Sequence, residues 1–309
     1  MQIIDKKRIE NIKPSVACIG FFDGLHKGHH FLLNQVKGVA KEKNLASAVV
    51  TFPEHPAKVV NPQRKVELLT LCDEKVELLA AAGIDYCFIE PFTTEVSKLT
   101  ARQFMEQVLK ERYAVEVLII GYDHQFGHNR AEGFTDYCKY GKELGIEVVQ
   151  ATAYYEESVD VSSSAIRNAI KEGDVSLAQN YLGYNYFVEG KVVDGMKIGR
   201  TIGFPTANIE VTNEDKLIPR DGVYAVRVLI EGDEQLYWGM LNIGNRPTMN
   251  NGSNRSIEVN ILDFNSDVYQ QKIRLLFVER LRDELYFDSI EKLIDQLHLD
   301  EAQVRSMII

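Results

Sequence analysis

Three histidines fall within five positions in Gly20-Phe-Phe-Asp-Gly-Leu-His26-Lys-Gly28-His29-His30. At this spacing, imidazoles can donate hydrogen bonds to phosphate oxygens, whose negative charge grows as a nucleotidyl group is transferred. Gly24 permits a tight turn, and Gly28 lets a polyphosphate approach the backbone. The segment lies where an apolar run meets a helical pattern, and a helix N-terminus offers free N–H groups and a positive dipole end. Two other readings stay open at this point. One is a metal site drawing on His26, His29, His30 and the nearby His55, although the spacing matches no standard zinc pattern. The other is a turn without chemistry. Neither the P-loop pattern nor G-x-G-x-x-G occurs here, so those nucleotide fingerprints are absent.

Three further groups could carry chemistry. In Val161-Ser162-Ser163-Ser164-Ala-Ile-Arg167, hydroxyls and free N–H groups at a helix start could hold phosphates while Arg167 supplies a permanent charge. The plainer reading is an N-cap beside a surface arginine. Gly199-Arg-Thr-Ile-Gly203-Phe-Pro205-Thr206-Ala-Asn208 reads as a mobile glycine loop over phosphates, or as an ordinary Gly/Pro hairpin loop. In Ser256–Phe264, period-two alternation sets Ile257, Val259 and Ile261 on one face and Glu258 and Asn260 on the other. A carboxylate with apolar strand neighbours is suited to accept a hydroxyl proton; a solvated outer-face Glu is the bland alternative. Phe52 and Phe126 could stack on a planar ring, although core packing competes for any single aromatic.

Elements must hold these groups in place. Apolar runs at 15–20, 46–52, 85–90, 116–121 and 146–150 suit strands buried on both faces of a parallel sheet. Helical patterns lie between them. The one at 73–82 ends at Gly83, and that at 100–112 begins with the capping-box pair Thr100 and Gln103. Those at 135–144 and 163–172 stop before Gly145 and Gly173. The alternation predicts a doubly wound α/β domain, whose ligands sit beyond the carboxyl ends of the strands. After Gly183 the pattern changes to strands at 186–193, 222–230, 236–243, 256–264 and 272–281, then one helix over 288–308 capped by Asp288 or Ser289. That predicts a small barrel packed by a terminal helix. The expected domains are 1–183 and 184–309, in keeping with a chain of 309 residues.

Composition narrows the partners. Against 45 acidic residues stand 35 Lys and Arg, a formal charge of −10, so no broad basic footprint exists for nucleic acid. The four cysteines form no C-x-x-C pair, and no signal peptide or apolar stretch of membrane length occurs, which predicts a cytoplasmic protein.

The motifs together resemble those of bacterial bifunctional riboflavin kinase/FAD synthetases. G-x-F-D-G-x-H-x-G-H is similar to the signature of the HxGH nucleotidyltransferase superfamily. Thr51-Phe-Pro-Glu-His-Pro56 and the segments 121–127 and 161–167 resemble that family's later adenylyltransferase motifs. Gly199–Asn208 resembles the riboflavin kinase loop, and the segments 238–248, 256–264 and 280–284 match the rest of that module. The resemblance implies a Rossmann-like adenylyltransferase domain followed by a β-barrel kinase domain. It implies ATP and phosphate binding by Phe22, Gly24, Gly28, Ser163, Ser164 and Arg167, with His26 and His29 catalytic. FMN would meet Phe52, Asp123 and Phe126. In the kinase, Gly199, Gly203, Pro205, Thr206 and Asn208 would bind ATP, with Thr206 and Asn208 also holding Mg²⁺. Glu258 would be the base for the ribityl 5′-hydroxyl, and Arg282 and Glu284 would contact flavin. The implied substrates are ATP, riboflavin and FMN.

This chain departs from the pattern at Asn260, usually His, and at Asp160, His124, Phe134 and Ser164 in the adenylyltransferase half. The departures keep open a kinase with a weakened first domain. A flavin-sensing regulator without turnover is the reading from another class.

Overall fold

Every residue of strand β2 (Ser15–Ile19) is buried, as its unbroken apolar run requires of a strand covered on both faces. Around it the computed structural model places β1 (Gln2–Ile4), β3 (Ala46–Thr51), β4 (Tyr86–Ile89), β5 (Val115–Ile120) and β6 (Glu147–Gln150). The structure describes residues 1–5, 12–121, 124–128, 131–152, 161–195, 198–245 and 255–308. The sheet order is β1-β4-β3-β2-β5-β6, all parallel. Helices α1 (Lys27–Lys43), α2 (Pro56–Val60), α3 (Cys72–Ala81), α4 (Thr94–Ser97), α5 (Ala101–Phe104) and α6 (Phe134–Leu144) complete this part. Alternate strand residues feed two separate cores. Ala17, Ile19, Val50 and Leu118 belong to one, and Val16, Cys18, Val49 and Val117 to the other. This is the doubly wound arrangement the alternation predicted.

The predicted helix starts and stops hold at specific residues. Thr100 and Gln103 make the reciprocal capping box, and Gly145 takes the left-handed C-cap conformation at φ 73°. One helix differs in kind. After Phe104 the chain continues as a π-helical stretch, Met105–Lys110, with wide bonds such as Glu111 N–H to the Glu106 carbonyl at 3.0 Å.

The later strands, β7 (Phe187–Val193), β8 (Ala207–Glu210), β9 (Gly222–Ile230), β10 (Leu236–Asn245), β11 (Arg255–Ile261) and β12 (Lys272–Arg282), form a closed antiparallel barrel ordered β10-β11-β8-β7-β12-β9. Helices α7 (Ser163–Glu172), α8 (Val175–Leu182), α9 (Ile198–Thr201) and α10 (Ile290–Ser306) accompany it. Ser289 caps α10 through its side chain, and Val304 packs with Phe204, Ala225, Met240 and Leu262. Inside β11 the alternation holds for Ile257, Val259 and Ile261, all buried. Asn260, expected on the face of Glu258, is also buried, and its amide donates to the Pro205 carbonyl at 2.7 Å.

The chain divides into two compact units, Met1–Ser163 and Ser164–Ile309. The second includes α7 and α8 with the barrel. Arg220 N–H donates to the Ile170 carbonyl at 3.3 Å, and the Ser176 hydroxyl donates to that of Val278 at 3.4 Å.

Candidate active sites

In a doubly wound sheet the ligand crevice opens where strand order reverses, here between β2 and β5. The histidine segment leaves the carboxyl end of β2 at that point. Its turn is unusually bent: Phe22, Gly24 and Leu25 all have positive φ, at 54°, 77° and 36°. Such strain persists only where surrounding structure over-determines it. Asp23 does that. Its buried carboxylate accepts the N–H groups of Leu69 at 3.2 Å and Thr70 at 3.0 Å, while the Thr70 hydroxyl accepts Gly24 N–H at 3.0 Å. The Ser163 hydroxyl donates to the Asp23 carbonyl at 2.9 Å, which ties the serine motif to the same turn.

His26 is the N-cap of α1, and its Nδ1 accepts His29 N–H at 3.4 Å. That bond places the neutral ring's proton on Nε2, leaving a donor for a ligand. The two imidazoles stack with centroids 3.7 Å apart, and the edge of Phe22 meets His29. Gly28 leaves room for this: a Cβ there would stand 3.2 Å from the His26 ring. Burial lowers the His26 pKa to about 4, with His30 adding to the effect and Asp23 opposing it. Burial, aided by His26, His30 and Lys75, holds His29 well below its ordinary range. Two stacked rings this close are therefore neutral donors rather than a pair of cations.

A stability consequence follows from His26. On acidification the unfolded chain takes up its proton near pH 6.5, before the folded protein does near pH 4. The contribution is complete above pH 6.5 and is lost on descent to about pH 4, on the order of 3 kcal/mol. Urea unfolding at pH 7 and pH 4.5 should show this loss, and His26→Gln should shrink it.

The other expected groups divide. Ser164 and Arg167 follow on α7, where the Arg167 guanidinium lies 3.4 Å from the Ser164 hydroxyl. Phe52 is buried against the edge of Phe92, and Phe126 lies parallel to Tyr137 at 4.4 Å, so core packing engages both rings. Asp123 and Asp160 lie outside the described residues, as do Arg246, Pro247 and Thr248. The departure at Phe134 leaves the helix start intact, since Asp136 accepts Gly133 N–H at 3.0 Å.

In the barrel, Glu258 on β11 pairs in register with Asn208 on β8 and with Asn242 on β10. Glu258 is half-buried and Asn208 is buried. The loop before β8 is shaped by Gly203, at φ 85°, and by Gly199, where a Cβ would collide with the Phe204 carbonyl. A Cβ on Gly199 would also lie 3.4 Å from the Thr206 hydroxyl, so that hydroxyl packs close to the loop backbone. Pro205 is fixed through its carbonyl by Asn260, which gives this departure from the family's usual His a visible task. Thr206 and Asn208 offer neutral hard oxygens beside the Glu258 carboxylate, a donor set that fits a small divalent cation already carrying phosphate oxygens. Among the described residues, no group of three or more His, Cys, Asp or Glu could hold a metal ion.

Glu284 lies against Gly244, where any side chain would overlap its carboxylate, and Asn242 reaches it at 3.5 Å. Arg282, expected at the flavin, is held by Asp300 of α10, with Nε 3.0 Å from Oδ1 and a second nitrogen 2.7 Å from Oδ2. Gln296 also donates to that buried carboxylate at 2.9 Å. Asp300→Ala would leave a mostly buried guanidinium without its acceptor, and should destabilise the barrel by about 3 kcal/mol in urea unfolding.

Sequence reasoning passed over two residues that the geometry brings forward, Thr70 and Lys75. Asn242 lies in the motif at 238–248, where it was given no role of its own.

A histidine-lined turn at the switch point of a parallel sheet, followed by a barrel with its own phosphate-type loop, defines a two-module nucleotide-dependent transferase. Known proteins narrow the class. Residues 8–165 match the FAD synthetase family model, and residues 182–308 match the riboflavin kinase model. A Listeria monocytogenes bifunctional riboflavin kinase/FMN adenylyltransferase is 40% identical, over 94% of this chain and 91% of that protein. The Bacillus subtilis protein of the same description is 34% identical, over 95% of this chain and 92% of its own. A Streptococcus pneumoniae crystal structure, described as a macrolide-efflux protein, superposes with TM-score 0.89 at 32% identity, covering 98% of both chains. Among the described residues here, no helix is long and apolar enough to cross a membrane. The chain belongs to the bifunctional riboflavin kinase/FMN adenylyltransferase family.

Proposed function

We propose that this chain makes FMN from riboflavin and ATP in its barrel, and FAD from FMN and ATP in its sheet domain. The observation that carries the reading is the presence of both family modules in one chain, each over its own set of motif residues. Residues 1–183 are assigned to adenylylation and 184–309 to phosphorylation.

In the kinase step, Glu258 accepts the proton of the ribityl 5′-hydroxyl as that oxygen bonds to the γ-phosphorus of ATP and the bond to ADP breaks. Asn208 and Asn242, level with Glu258 on the neighbouring strands, fix the carboxylate's surroundings. Thr206 and Asn208 would hold Mg²⁺, which when bound supplies charge neutralisation for the phosphates. Gly199, Gly203 and Pro205 form the backbone cover over the nucleotide, and Arg282 and Glu284 line the flavin side.

In the adenylylation step, an FMN phosphate oxygen bonds to the α-phosphorus of ATP and pyrophosphate leaves. His26 and His29 donate hydrogen bonds to the phosphate oxygens on which charge grows. Phe22, Gly24 and Gly28 shape the seat, and Ser163, Ser164 and Arg167 supply further donors. Phe52, Asp123 and Phe126 are assigned to FMN. Both steps depend mainly on positioning and electrostatics. The absence of a membrane-length helix among the described residues fits a cytoplasmic enzyme of small-molecule metabolism.

Incubation with riboflavin, ATP and Mg²⁺, followed by chromatography, should show FMN first and FAD after it. FMN without FAD would reduce the chain to a kinase. Tight flavin binding without either product would make it a sensor.

A further inference from the structure

Lys75 is among the least accessible residues of the chain, at 1% exposure, and it belongs to none of the motifs. It lies on the fourth residue of α3, close to the positive end of the helix dipole, where a cation is unfavourable. A charge buried in that position is retained only if specific acceptors compensate it. They are the backbone carbonyls of Phe21, at 3.0 Å, and Phe52, at 2.8 Å. The first lies in the histidine turn after β2, and the second in the Thr51–Pro56 segment after β3. Its ammonium also stands 4.1 Å from the centre of the Phe21 ring. Two loops that leave adjacent strands at the ligand end of the sheet are thus joined by one side chain.

We propose that Lys75 is a positioning residue of the adenylyltransferase site, clamping the histidine turn to the Thr51–Pro56 segment and placing a positive charge where it acts on His29. The proposal rests on the assignment of His26 and His29 made above. The groups facing Lys75 are Asp23 on the turn, Cys72 on its own helix, Cys87 on β4 and His29 on α1. Burial raises both thiols, to about 12 for Cys87, and Asp23 acts on the ammonium by raising Lys75 against its burial. Burial in turn lowers Lys75 to about 8. Burial and the neighbouring rings of His26 and His30 act on His29 in the same direction as Lys75. Removing the cation takes away one of the causes that keep His29 neutral, so its pKa must rise.

The test compares Lys75→Met and Lys75→Arg with His29→Ala in the full-length protein. For Lys75→Met, kcat for FMN adenylylation should fall about ten- to a hundredfold, with KM for ATP and FMN changing much less. The acid limb of its pH profile should move towards neutrality. Lys75→Arg, which keeps a charged donor at this position, should recover most of the rate. Riboflavin phosphorylation should be unchanged in all three. A Lys75→Met protein with native near-UV circular dichroism and wild-type adenylylation overturns the proposal. So does a loss of rate with an unmoved acid limb, which would reduce Lys75 to a packing residue. Should Lys75→Met fail to fold, the wild-type profile decides. A basic limb near pH 8 in adenylylation, absent from phosphorylation, is expected, and its absence overturns the proposal. If His29→Ala is as active as wild type, the histidine assignment itself fails, whatever Lys75 does.

Discussion

Replacing His29 with alanine is expected to cut FMN adenylylation a hundred- to a thousandfold while riboflavin phosphorylation continues at the wild-type rate. The size follows from what the ring contributes. It is held neutral by burial and by its neighbours, and is fixed by its stack on His26 and the edge of Phe22. Such a donor undergoes no reorganisation when charge appears on the departing pyrophosphate, so its loss falls on kcat rather than on KM. The substitution should also disturb its partner, because the ring stacked on His26 is removed. His26→Ala and the double variant should therefore be far from additive. Feeding FMN and ATP directly and measuring FAD and pyrophosphate isolates this step from the kinase.

The mirror experiment is Glu258→Gln. It keeps shape and removes the basic oxygen, and it should lower FMN formation by about a hundred- to ten-thousandfold while adenylylation of supplied FMN is spared. Glu258 stands level with Asn208 and Asn242 in the barrel wall, so the amide has neighbours able to accept and donate. Folding should tolerate the exchange, and the loss should reside in kcat. If either substitution removed both activities from a folded protein, the assignment of one reaction to each module would be wrong.

Both modules were legible because their strands advertise themselves in different ways. Runs such as Ser15–Ile19 are apolar throughout because the sheet is covered on both faces. Gly222–Ile230, by contrast, follows a strand grammar bounded by turn residues, and its limits were read to the residue. What escaped has physical causes. Strand β8 is four residues long and carries the polar Asn208, because its task is to place that amide beside Glu258, so it resembled a loop. Helix α8 was marked by Asp174 at its N-cap and Gly183 at its C-cap, signals that could have been used. The π-helical stretch after Phe104 has no pattern of its own, since side-chain periodicity changes little over one turn. In the sites, motif residues could be named from spacing, whereas Lys75 and Thr70 act through backbone groups that spacing does not encode. The burial of Asn260 escaped for a similar reason: its amide donates to a single carbonyl, that of Pro205, which strand alternation does not encode.

The two modules also differ in when they can be finished. All six strands of the parallel sheet, and the hydroxyl that ties down the Asp23 turn, precede residue 164 in the chain. A ribosome thus delivers everything the first module's sheet requires while the barrel is still being made. The barrel has no such freedom. Its β7 and β12 must meet, with Phe187 opposite Leu276, and Arg282 is translated before the Asp300 that neutralises it. Until α10 emerges, that guanidinium waits without its carboxylate. The sheet of the half that consumes FMN is thus complete in the chain before any strand of the half that makes it, with Ser164 and Arg167 following on α7.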